Sequence, residues 1–399
     1  MNFAPDPSAF ARDTREPGDP AFLAQVRQIA DEAAGPVADA VDSAARFPTE
    51  AIDALKGIGA LSAFLPEQLG GRAISFAAIA EACFILGTRC GASAMVFAMH
   101  QIQIVTLARH ALGQPFFEAH LRRVAAEQRL IASVTSEMGT GGDMGRSIAA
   151  LENVPGGLSF SKDAPTVSYG AYADDLLTTV RRAPGAQPGD QLLVLTRADQ
   201  HLLEPRGTWD PLGMRGTCSP GYKVSATFDA DQAIAEPFSQ IGPQSMIPVS
   251  HILWAHLWLG IATDAFERSR SFVRAAAKRT PGVTPPAATK LSHTMGALQL
   301  LRGEVKAGLA DYVDHFDDRE WLMTIAAALR FNNLKIAASD QVASVCRDCL
   351  SVSGIAGFKN DTPFAVGRHL RDSLSACLMI ANDRIHETNA SLLLVAKDV

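Results

Sequence analysis

The sequence predicts a mainly helical α+β protein with an N-terminal helical domain, a middle β-barrel-like domain and a C-terminal four-helix bundle. Three changes of pattern along the 399 residues indicate this fold class. Up to about residue 128, apolar residues recur at three- and four-residue spacing, as in amphipathic helices. From there to residue 243 the pattern is alternation broken by turns, which is typical of strands. Long helical patterns then return. We therefore predict domains at 1–128, 129–243 and 244–399.

The N-terminal region begins with residues 1–18, which are rich in Pro, Asp and Arg and are expected to form a loose arm. The spacing of Phe22, Val26 and Ile29 predicts the first helix. Thr49 and Ser75 are expected to be N-caps of two later helices, because a hydroxyl oxygen accepts the backbone N–H groups that a helix start leaves unpaired. Two further helices are predicted at 92–110 and 115–127.

The middle and C-terminal regions are separated by their turn content. Segments rich in Gly and Pro, such as 184–190, separate the predicted strands, which are expected at 158–161, 176–180, 191–196 and 222–228. The bundle helices are predicted at 248–278, 289–316, 318–352 and 363–395. Each is long enough to cross a bundle of sizeable length.

Composition restricts the classes of partner. Hydrophobic residues make up 47% and charged residues 20% of the chain, and the net charge is −6. A nucleic-acid partner is therefore not expected, because phosphates require a dense basic face.

The cysteines do not indicate a metal site. Cys346 and Cys349 form the only close cysteine pair in the sequence, and there is no second pair to complete a zinc site. We therefore predict unpaired thiols in a reducing cytoplasm and no bound metal.

Targeting and membrane segments are not expected. The first residues lack the basic and apolar regions of a signal peptide. The most apolar long segment, 252–266, is interrupted by His256 and Asp264 and is predicted to be a buried helix too short to span a bilayer.

The stretch from Leu130 to Asp143 reads Leu-Ile-Ala-Ser-Val-Thr-Ser-Glu-Met-Gly-Thr-Gly-Gly-Asp. An apolar, β-branched run predicts a strand, and a glycine-rich turn follows. Glycine lets the backbone approach a ligand closely and point successive amides at it. The hydroxyls of Thr135, Ser136 and Thr140 add donors. No Lys-Ser or Lys-Thr follows, so this is not a Walker phosphate loop. The residues alone fit either a polar cofactor site or an ordinary β-turn.

This stretch resembles the Thr-Glu-Pro-x-x-Gly-Ser-Asp signature of the acyl-CoA dehydrogenase superfamily, with Ser136-Glu137-Met138 for Thr-Glu-Pro and Gly141-Gly142-Asp143 for Gly-Ser-Asp. Residues 166–174 resemble that family's Trp-Ile-Thr-Asn-Gly-x-x-Ala-Asp, and Ser168 matches the Thr. Further matches follow in the family's order and cover nearly the whole chain. The resemblance implies an FAD cofactor held in part by Thr135, Ser136, Gly141, Gly142 and Ser168.

Two later matches imply a cofactor site shared between subunits. Residues 277–282 resemble the family's Arg-x-x-Phe-Gly. This resemblance implies that Lys278 or Arg279 holds the FAD pyrophosphate of a neighbouring subunit. The two cations are equally consistent with an ordinary helix C-terminus, where positive charge is favoured. Residues 350–358 resemble Gln-x-x-Gly-Gly-x-Gly-Phe, which implies that Gly354 and Gly357 pack on that cofactor, although Gly354 also suits a plain helix C-cap. The resemblance implies a homo-oligomer, typically a tetramer or dimer.

Residues 209–217 also resemble a stretch of the family, and in this match Arg215 is expected to be mainly structural.

The catalytic base is the point where this sequence departs from the family. Residues 368–372 match Arg-x-x-Arg-Asp, after which the family carries Tyr-Glu-Gly-Thr, but an ungapped count lands on Ile380. Abstraction of an α-proton needs an ionised base aimed at Cα. Asp383 is the first candidate and Glu387 the second, and each is also consistent with a solvated helix residue. The family's other location for the base falls near His251, which could serve in a variant chemistry.

Three functions are consistent with these residues. The first is FAD-dependent α,β-dehydrogenation of an acyl-CoA or carrier-bound acyl thioester, with an acceptor such as an electron-transfer flavoprotein. The second is a flavin-dependent monooxygenase on the same fold, since such relatives also lack the glutamate. The third is a non-catalytic binding protein, whose expected basic surface is at odds with the acidic composition.

Overall fold

The computed structural model describes residues 18–397, so almost all of the predicted N-terminal arm lies outside the described residues. The first described region is helical. Its helices are α1 (Asp19–Ile29), α2 (Gly35–Ser43), α3 (Thr49–Gly57), α4 (Phe76–Gly87), α5 (Gly91–His110) and α6 (Pro115–Glu127). Helix α4 starts as predicted, because Ser75 Oγ accepts a hydrogen bond of 3.1 Å from Ala78 N. The predicted cap at Thr49 is wrong: Pro48 occupies the N-cap, and Thr49 already has helical backbone.

The middle region contains seven described strands in two sheets. The strands are β1 (Ile131–Val134), β2 (Glu152–Val154), β3 (Gly157–Ala164), β4 (Asp175–Arg181), β5 (Gln191–Arg197), β6 (His201–Arg206) and β7 (Gly221–Phe228). One sheet has the order β1-β4-β5 and the other β2-β3-β7-β6. Strands β1 and β4 are parallel, and the other pairs are antiparallel. The predicted strands correspond to β1, β3, β4, β5 and β7, whereas β2 and β6 were missed. Both are edge strands, and β6 contains Pro205, which cannot donate to a ladder.

The last region is helical again. It contains α7 (Phe238–Ile241), α8 (Ile247–Arg279), α9 (Ala287–Asp314), α10 (Arg319–Leu322), α11 (Ile325–Ser353), α12 (Ile355–Phe358), α13 (Gly367–Leu374) and α14 (Asn382–Leu393). Helix α8 connects the two helical regions, because it packs against α4 and α5 of the first and against α9 and α11 of the last. The predicted fold class is confirmed. The predicted fourth helix at 363–395 is wrong, because the chain leaves the helix between α13 and α14.

That break is accompanied by one local interaction and by one with another helix. Ser375 Oγ donates 2.6 Å to the carbonyl of Asp372, which satisfies a helix-end acceptor with a side chain. Ile380 has a left-handed backbone with φ of 52°, which is strained for a β-branched residue. Lys335 Nζ on α11 stabilises this conformation by donating 2.7 Å to Ile380 O and 2.7 Å to Asn382 Oδ1. Burial lowers the pKa of Lys335 to about 8.

The helical stretches Gly91–His110 and Phe238–Arg279 have the length and apolar composition of a membrane span, with hydropathy of 1.3 in each. Their most apolar windows are 94% and 89% buried inside the protein, as in core helices. The second stretch extends well beyond the segment 252–266 that the sequence marked as too short to span a bilayer. Residues 248–262 of α8 are all buried.

Three segments distant in sequence meet beside the glycine turn. Asp372 Oδ1 accepts 2.7 Å from Met214 N, and Arg371 Nη1 donates 2.9 Å to Asp42 Oδ1. A Cβ on Gly213 would lie 2.1 Å from Arg371 O, so only glycine permits this approach. The Arg-x-x-Arg-Asp segment therefore joins the bundle to both other regions. Arg215 is structural as expected, donating 2.7 Å to Asp210 Oδ1.

Candidate active site

Two adjoining cavities lie where the three regions meet. The main cavity has a volume of about 680 Å³, and the side cavity has about 420 Å³. They share a wall formed by Gly142, Met144, Ile380 and Arg384. The main volume lies within the range of about 300–1,000 Å³ that small-molecule and cofactor sites have.

The first wall of the main cavity is the end of β1 and the glycine turn. It contains Ser133, Thr135, Ser136, Gly141 and Gly142. Ser136 Oγ donates 2.7 Å to Thr166 O, whereas none of the described residues is hydrogen-bonded to the Thr135 hydroxyl. Gly141 and Gly142 have φ of 65° and 85°, which L-residues rarely adopt. The turn therefore presents hydroxyls and bare backbone to the cavity.

Glu137, in the middle of the motif, stabilises this turn from behind. It is buried, its Oε1 accepts 2.6 Å from Ala149 N, and its Oε2 accepts 2.7 Å from Ser147 Oγ. Its ion pair with Lys162 spans 3.5 Å, and burial lowers the pKa of this lysine to about 8. Glu137 thus contributes a structural carboxylate rather than one that faces the main cavity.

A chain of three hydroxyls forms the second wall. Thr217 Oγ1 and Ser219 Oγ are 2.8 Å apart, and Ser219 Oγ donates 3.0 Å to Ser168 Oγ. Because Ser219 donates its hydrogen to Ser168, the single hydroxyl hydrogen of Thr217 is shared between Ser219 Oγ and Met214 O, which lies 2.9 Å away. Because Ser168 Oγ accepts from Ser219, its own hydrogen is available to a ligand in the main cavity.

Two helical residues that line the main cavity carry buried polar atoms without a described partner. Gln103 on α5 is 1% exposed, and its Nε2 donates 3.0 Å to Met99 O, but its Oε1 has no hydrogen-bond partner among the described residues. Trp254 on α8 is 7% exposed, and its Nε1 likewise lacks a described partner. A buried acceptor and a buried donor without partners are costly unless a ligand satisfies them.

The charge of the main cavity is unusual for proton-transfer chemistry. Among residues 18–397, no Asp, Glu, His, Lys, Cys or Tyr lines it, and its charged side chains are Arg371 and Arg384. The rest of the lining is mostly apolar, with methionines prominent: Met95, Met99, Ile102, Met144, Leu374, Leu378 and Met379.

The side cavity contains the polar groups that the main cavity lacks. His251 on α8 is buried there, and its Nδ1 donates 3.1 Å to Phe331 O. A neutral imidazole with a proton on Nδ1 has a lone pair on Nε2, and Nε2 has no partner among the described residues. Burial, assisted by Lys335, lowers the pKa of His251 to about 3. The imidazole is therefore a neutral hydrogen-bond acceptor.

Comparison with known proteins identifies the architecture. Residues 17–115 match the family described as acyl-CoA dehydrogenase, N-terminal domain. The chain is 25% identical over 398 residues to the probable FMNH2-dependent monooxygenase SfnC of Pseudomonas putida, covering 90% of this chain and 92% of that protein. It is 26% identical over 357 residues to the cyclohexane-1-carbonyl-CoA dehydrogenase of Geobacter metallireducens, covering 87% and 90%. A match at 26% identity to the dibenzothiophene monooxygenase of Mycolicibacterium goodii spans 61% of each chain.

Solved structures share the same fold over nearly the full length. FMN-bound TdsC from Paenibacillus sp. A11-2 superposes with a TM-score of 0.78 at 19% identity, covering 94% of this chain and 97% of that one. Butyryl-CoA dehydrogenase from Megasphaera elsdenii superposes with a TM-score of 0.77 at 15% identity, covering 96% and 100%. The chain therefore has the acyl-CoA dehydrogenase fold, and its residues 17–115 match the N-terminal domain of that family. Its relatives include both dehydrogenases and monooxygenases.

The structure brings together five of the cofactor residues predicted from the superfamily resemblance. Thr135, Ser136, Gly141, Gly142 and Ser168 all line the main cavity, and Gly142 also lines the side cavity. Their contacts with a cofactor stay a prediction.

The other predicted cofactor residues lie elsewhere. Lys278 and Arg279 are exposed at the end of α8, Gly354 is exposed with φ of 55°, and Gly357 is buried against Ser353 and Val366. None of these residues lines either cavity. Because the superfamily resemblance assigns them to the cofactor of a neighbouring subunit, their role also stays a prediction.

The predicted bases are not in the main cavity. Asp383 is exposed in the first turn of α14 and lines neither cavity, whereas Glu387 lines the side cavity. Ile380, where the ungapped count fell, does line the main cavity.

Gln103 and Trp254 were missed by sequence reasoning. The signal for Gln103 was available, because an amide in the strongly apolar run of α5 is a buried polar group in need of a partner.

Proposed function

We propose that this chain is a flavin-dependent monooxygenase that acts on a neutral, largely apolar small molecule. The observation that carries this proposal is the main cavity, in which no described side chain can act as the base that α-proton abstraction requires. The shared fold and the relatives above support an enzyme of the flavin oxidoreductase class.

The residues of the main cavity fit a flavin ring. One edge of that ring carries carbonyl acceptors and an N–H donor. We assign to that edge three groups of residues that line the cavity: the Trp254 Nε1–H and the Ser168 hydroxyl as donors and Gln103 Oε1 as an acceptor. The unpaired buried atoms of Gln103 and Trp254 thus have a use that an apolar ligand alone would not provide.

The proposed reaction balances with one O2 per turnover. When bound in its reduced form, a flavin supplies two electrons and two protons. One oxygen atom is transferred to the substrate, and the other leaves as water. No protein base has to remove a carbon-bound proton in this scheme. The role of the described residues is to bind and orient the reactants, and the lining of Met95, Met99, Ile102 and Leu378 excludes water from them.

The apolar lining also supports the proposed substrate class. A charged acyl-CoA headgroup would find only Arg371 and Arg384 as cations at the main cavity. Arg371 is already paired with Asp42. A neutral, compact substrate fits this lining better, and two of the relatives are named monooxygenases.

Dehydrogenation of an acyl thioester is the second candidate. It is favoured by Glu387 at the side cavity and by the match to a cyclohexane-1-carbonyl-CoA dehydrogenase over most of the chain. In this reaction Glu387 or Asp383 would take the α-proton, with an electron-transfer flavoprotein as acceptor.

The test compares the two reactions on the same protein reconstituted with FMN or FAD. The flavin spectrum is recorded anaerobically during addition of a panel of acyl-CoAs. In a second experiment the reduced flavoprotein is mixed with ¹⁸O2 and dibenzothiophene or another neutral aromatic sulfide, and the product mass is measured. A monooxygenase is expected to incorporate one ¹⁸O and to leave the oxidised flavin unreduced by every acyl-CoA.

Two variants make the comparison sharper. For a monooxygenase, Asp383→Asn and Glu387→Gln should both retain oxygenation, because neither carboxylate reaches the main cavity. Bleaching of the flavin by an acyl-CoA, abolished by one of these variants, would establish dehydrogenation instead. Failure to bind either flavin would reject both enzymatic functions.

A further inference from the structure

We propose that, when the main cavity holds no substrate, the oxygen atom is transferred to methionine side chains of the cavity wall. The acceptors are Met99, Met144 and Met379, and the product is methionine sulfoxide. This inference rests on the flavin function proposed above. It adds to that function a modification of the protein itself, with sulfur as the atom that receives oxygen.

Methionines are concentrated at the main cavity. The sequence contains ten methionines. Six of them line this cavity: Met95, Met99, Met144, Met214, Met246 and Met379. An even distribution along the chain would place far fewer of them at a wall of this size. The wall therefore contains many thioether sulfurs, which are soft and polarisable groups.

Three of these six methionines are partly exposed, whereas the other three are at most 5% exposed. Met99 lies on α5, Met144 lies in the loop after the glycine turn, and Met379 lies in the break between α13 and α14. Gln103 Nε2 donates 3.0 Å to Met99 O, so Met99 is one helical turn from the acceptor assigned to the flavin edge. The three partly exposed methionines are therefore the ones that a reactant in the cavity can reach.

A methionine sulfur can take the place of the substrate in the proposed reaction. Its lone pair carries no proton at neutral pH, so the sulfur is open to oxidation to the sulfoxide. A reduced flavin supplies two electrons and two protons to one O2, and the sulfur supplies two further electrons. One oxygen atom forms a bond to sulfur, the oxygen–oxygen bond breaks, and the second oxygen leaves with both protons as water.

Cysteine thiols do not compete for this oxygen at the cavities. In the part of the chain that the structure describes, no cysteine lines either cavity. Burial raises the pKa of the Cys83 and Cys346 thiols well above the usual value. Because the thiolate is the reactive form of cysteine, these two buried thiols are inert at neutral pH.

The modification changes the character of the cavity. A sulfoxide is polar, whereas the neighbouring part of the wall includes the apolar side chains of Ile102, Leu374 and Leu378. A polar oxygen in such surroundings is unfavourable unless water enters to hydrogen-bond it. Each transfer to methionine therefore makes the cavity less suited to an apolar substrate.

The test follows ¹⁸O from O2 into the full-length protein reconstituted with FMN. The flavin is reduced anaerobically and mixed with ¹⁸O2 in the presence of catalase and without substrate. The cycle is repeated before peptides are analysed by mass spectrometry. Met99, Met144 and Met379 should carry at least about tenfold more ¹⁸O than Met138, which is 60% exposed and lines neither cavity. Peroxide added to the solution should give the opposite order, because exposure then decides.

Leucine variants sharpen this test, because leucine has a similar volume but no sulfur. Met379→Leu should raise the label at Met99 and Met144 by about 1.5-fold, since the same oxygen is then shared between two sulfurs instead of three. Met138→Leu is the matched control and should leave the label unchanged. The labelled wild-type protein should oxygenate dibenzothiophene more slowly than the unlabelled protein, and methionine sulfoxide reductase should restore the rate.

The remaining outcomes separate this inference from the proposed function. Equal labelling of Met138, or loss of the label when catalase is present, would show attack by peroxide from solution and would reject the transfer. Oxygenation of dibenzothiophene without any methionine label would reject the transfer while the flavin function stands. Methionine label without oxygenation of dibenzothiophene would establish the transfer and reject the proposed substrate class. If neither flavin binds, the proposed function and this inference both fail.

Discussion

The carboxylate of Asp372 accepts a hydrogen bond of 2.7 Å from the backbone N–H of Met214. Asp372 lies in the last turn of α13, just before the break between α13 and α14, and Met214 lines the main cavity. This bond therefore fixes the bundle against the β region at the cavity wall. Burial raises the pKa of Asp372 to about 6. Burial makes the charged form of Asp372 less favourable, but its carboxylate accepts the hydrogen bond of the buried Met214 N–H.

Replacement of Asp372 should separate the hydrogen bond from the charge. Asp372→Asn keeps an oxygen acceptor for Met214 N, whereas Asp372→Ala leaves that N–H unpaired. We expect the alanine variant to lose about 1–3 kcal/mol more free energy of unfolding than the asparagine variant. Urea unfolding at neutral pH measures both. Equal stabilities would mean that the Asp372–Met214 bond contributes nothing.

Trp254→Phe should weaken flavin binding without weakening the fold. The variant keeps a ring but removes an Nε1–H that no described residue accepts. If that N–H donates to the ligand, FMN affinity should fall about threefold to tenfold. Trp258→Phe is the control, because its Nε1 is also unpaired but lines neither cavity. A similar loss in both variants would point to a packing effect instead.

Gly141→Ala should weaken flavin binding more than a glycine replacement of similar effect on stability elsewhere. Gly141 and Gly156 both have positive φ, 65° and 89°, so an alanine at either position should cost about 1–2 kcal/mol of strain. The new Cβ meets Arg384 at position 141 but meets no atom within 4 Å at position 156. Both variants should therefore show a similar drop in thermal midpoint, and only Gly141→Ala should bind FMN more weakly. Normal affinity in Gly141→Ala would contradict flavin binding at the glycine turn.

Acid should destabilise the protein through its buried neutral histidines. Burial lowers the pKa of His100 to about 4 and that of His256 to about 4. Because the unfolded chain binds these protons first, the stability that each neutral ring contributes is complete above pH 6.5 and is lost as pH falls toward 4. The loss is on the order of 3 kcal/mol per histidine.

A single variant tests this pH dependence. Among residues 18–397, the one hydrogen bond of the His256 ring is with the carbonyl of Ile252 in the same helix. His256→Phe should therefore fold and should flatten the dependence of unfolding free energy on pH between about 7 and 5. His293→Phe, at an exposed position, should leave the slope unchanged. Identical slopes in the two variants would show that His256 is not responsible.

Sequence reasoning was most successful where the interactions are local. Periodicity located most of the helices and the four longer strands, and the resemblance placed Thr135, Ser136 and Ser168 in one region. It was less successful at Thr49, at the edge strand β6 and at the break after Leu374. These depend on a proline turn, on sheet position and on a lysine from another helix, none of which is visible in the spacing of apolar residues.

The sequence by itself determined the order of helical, β and helical regions and the position of the glycine turn, because helix and strand periods and glycine conformations are properties of neighbouring residues. The tertiary structure decided which side chains face the cavities. Lys335 holds Ile380 in a left-handed conformation, which turns α14 so that Arg384 reaches the glycine turn while Asp383 does not line the cavity. The unpaired atoms of Gln103, Trp254 and His251 likewise became evident only when the packed neighbours were known. Whether a buried polar atom has a partner depends on contacts between segments far apart in the chain.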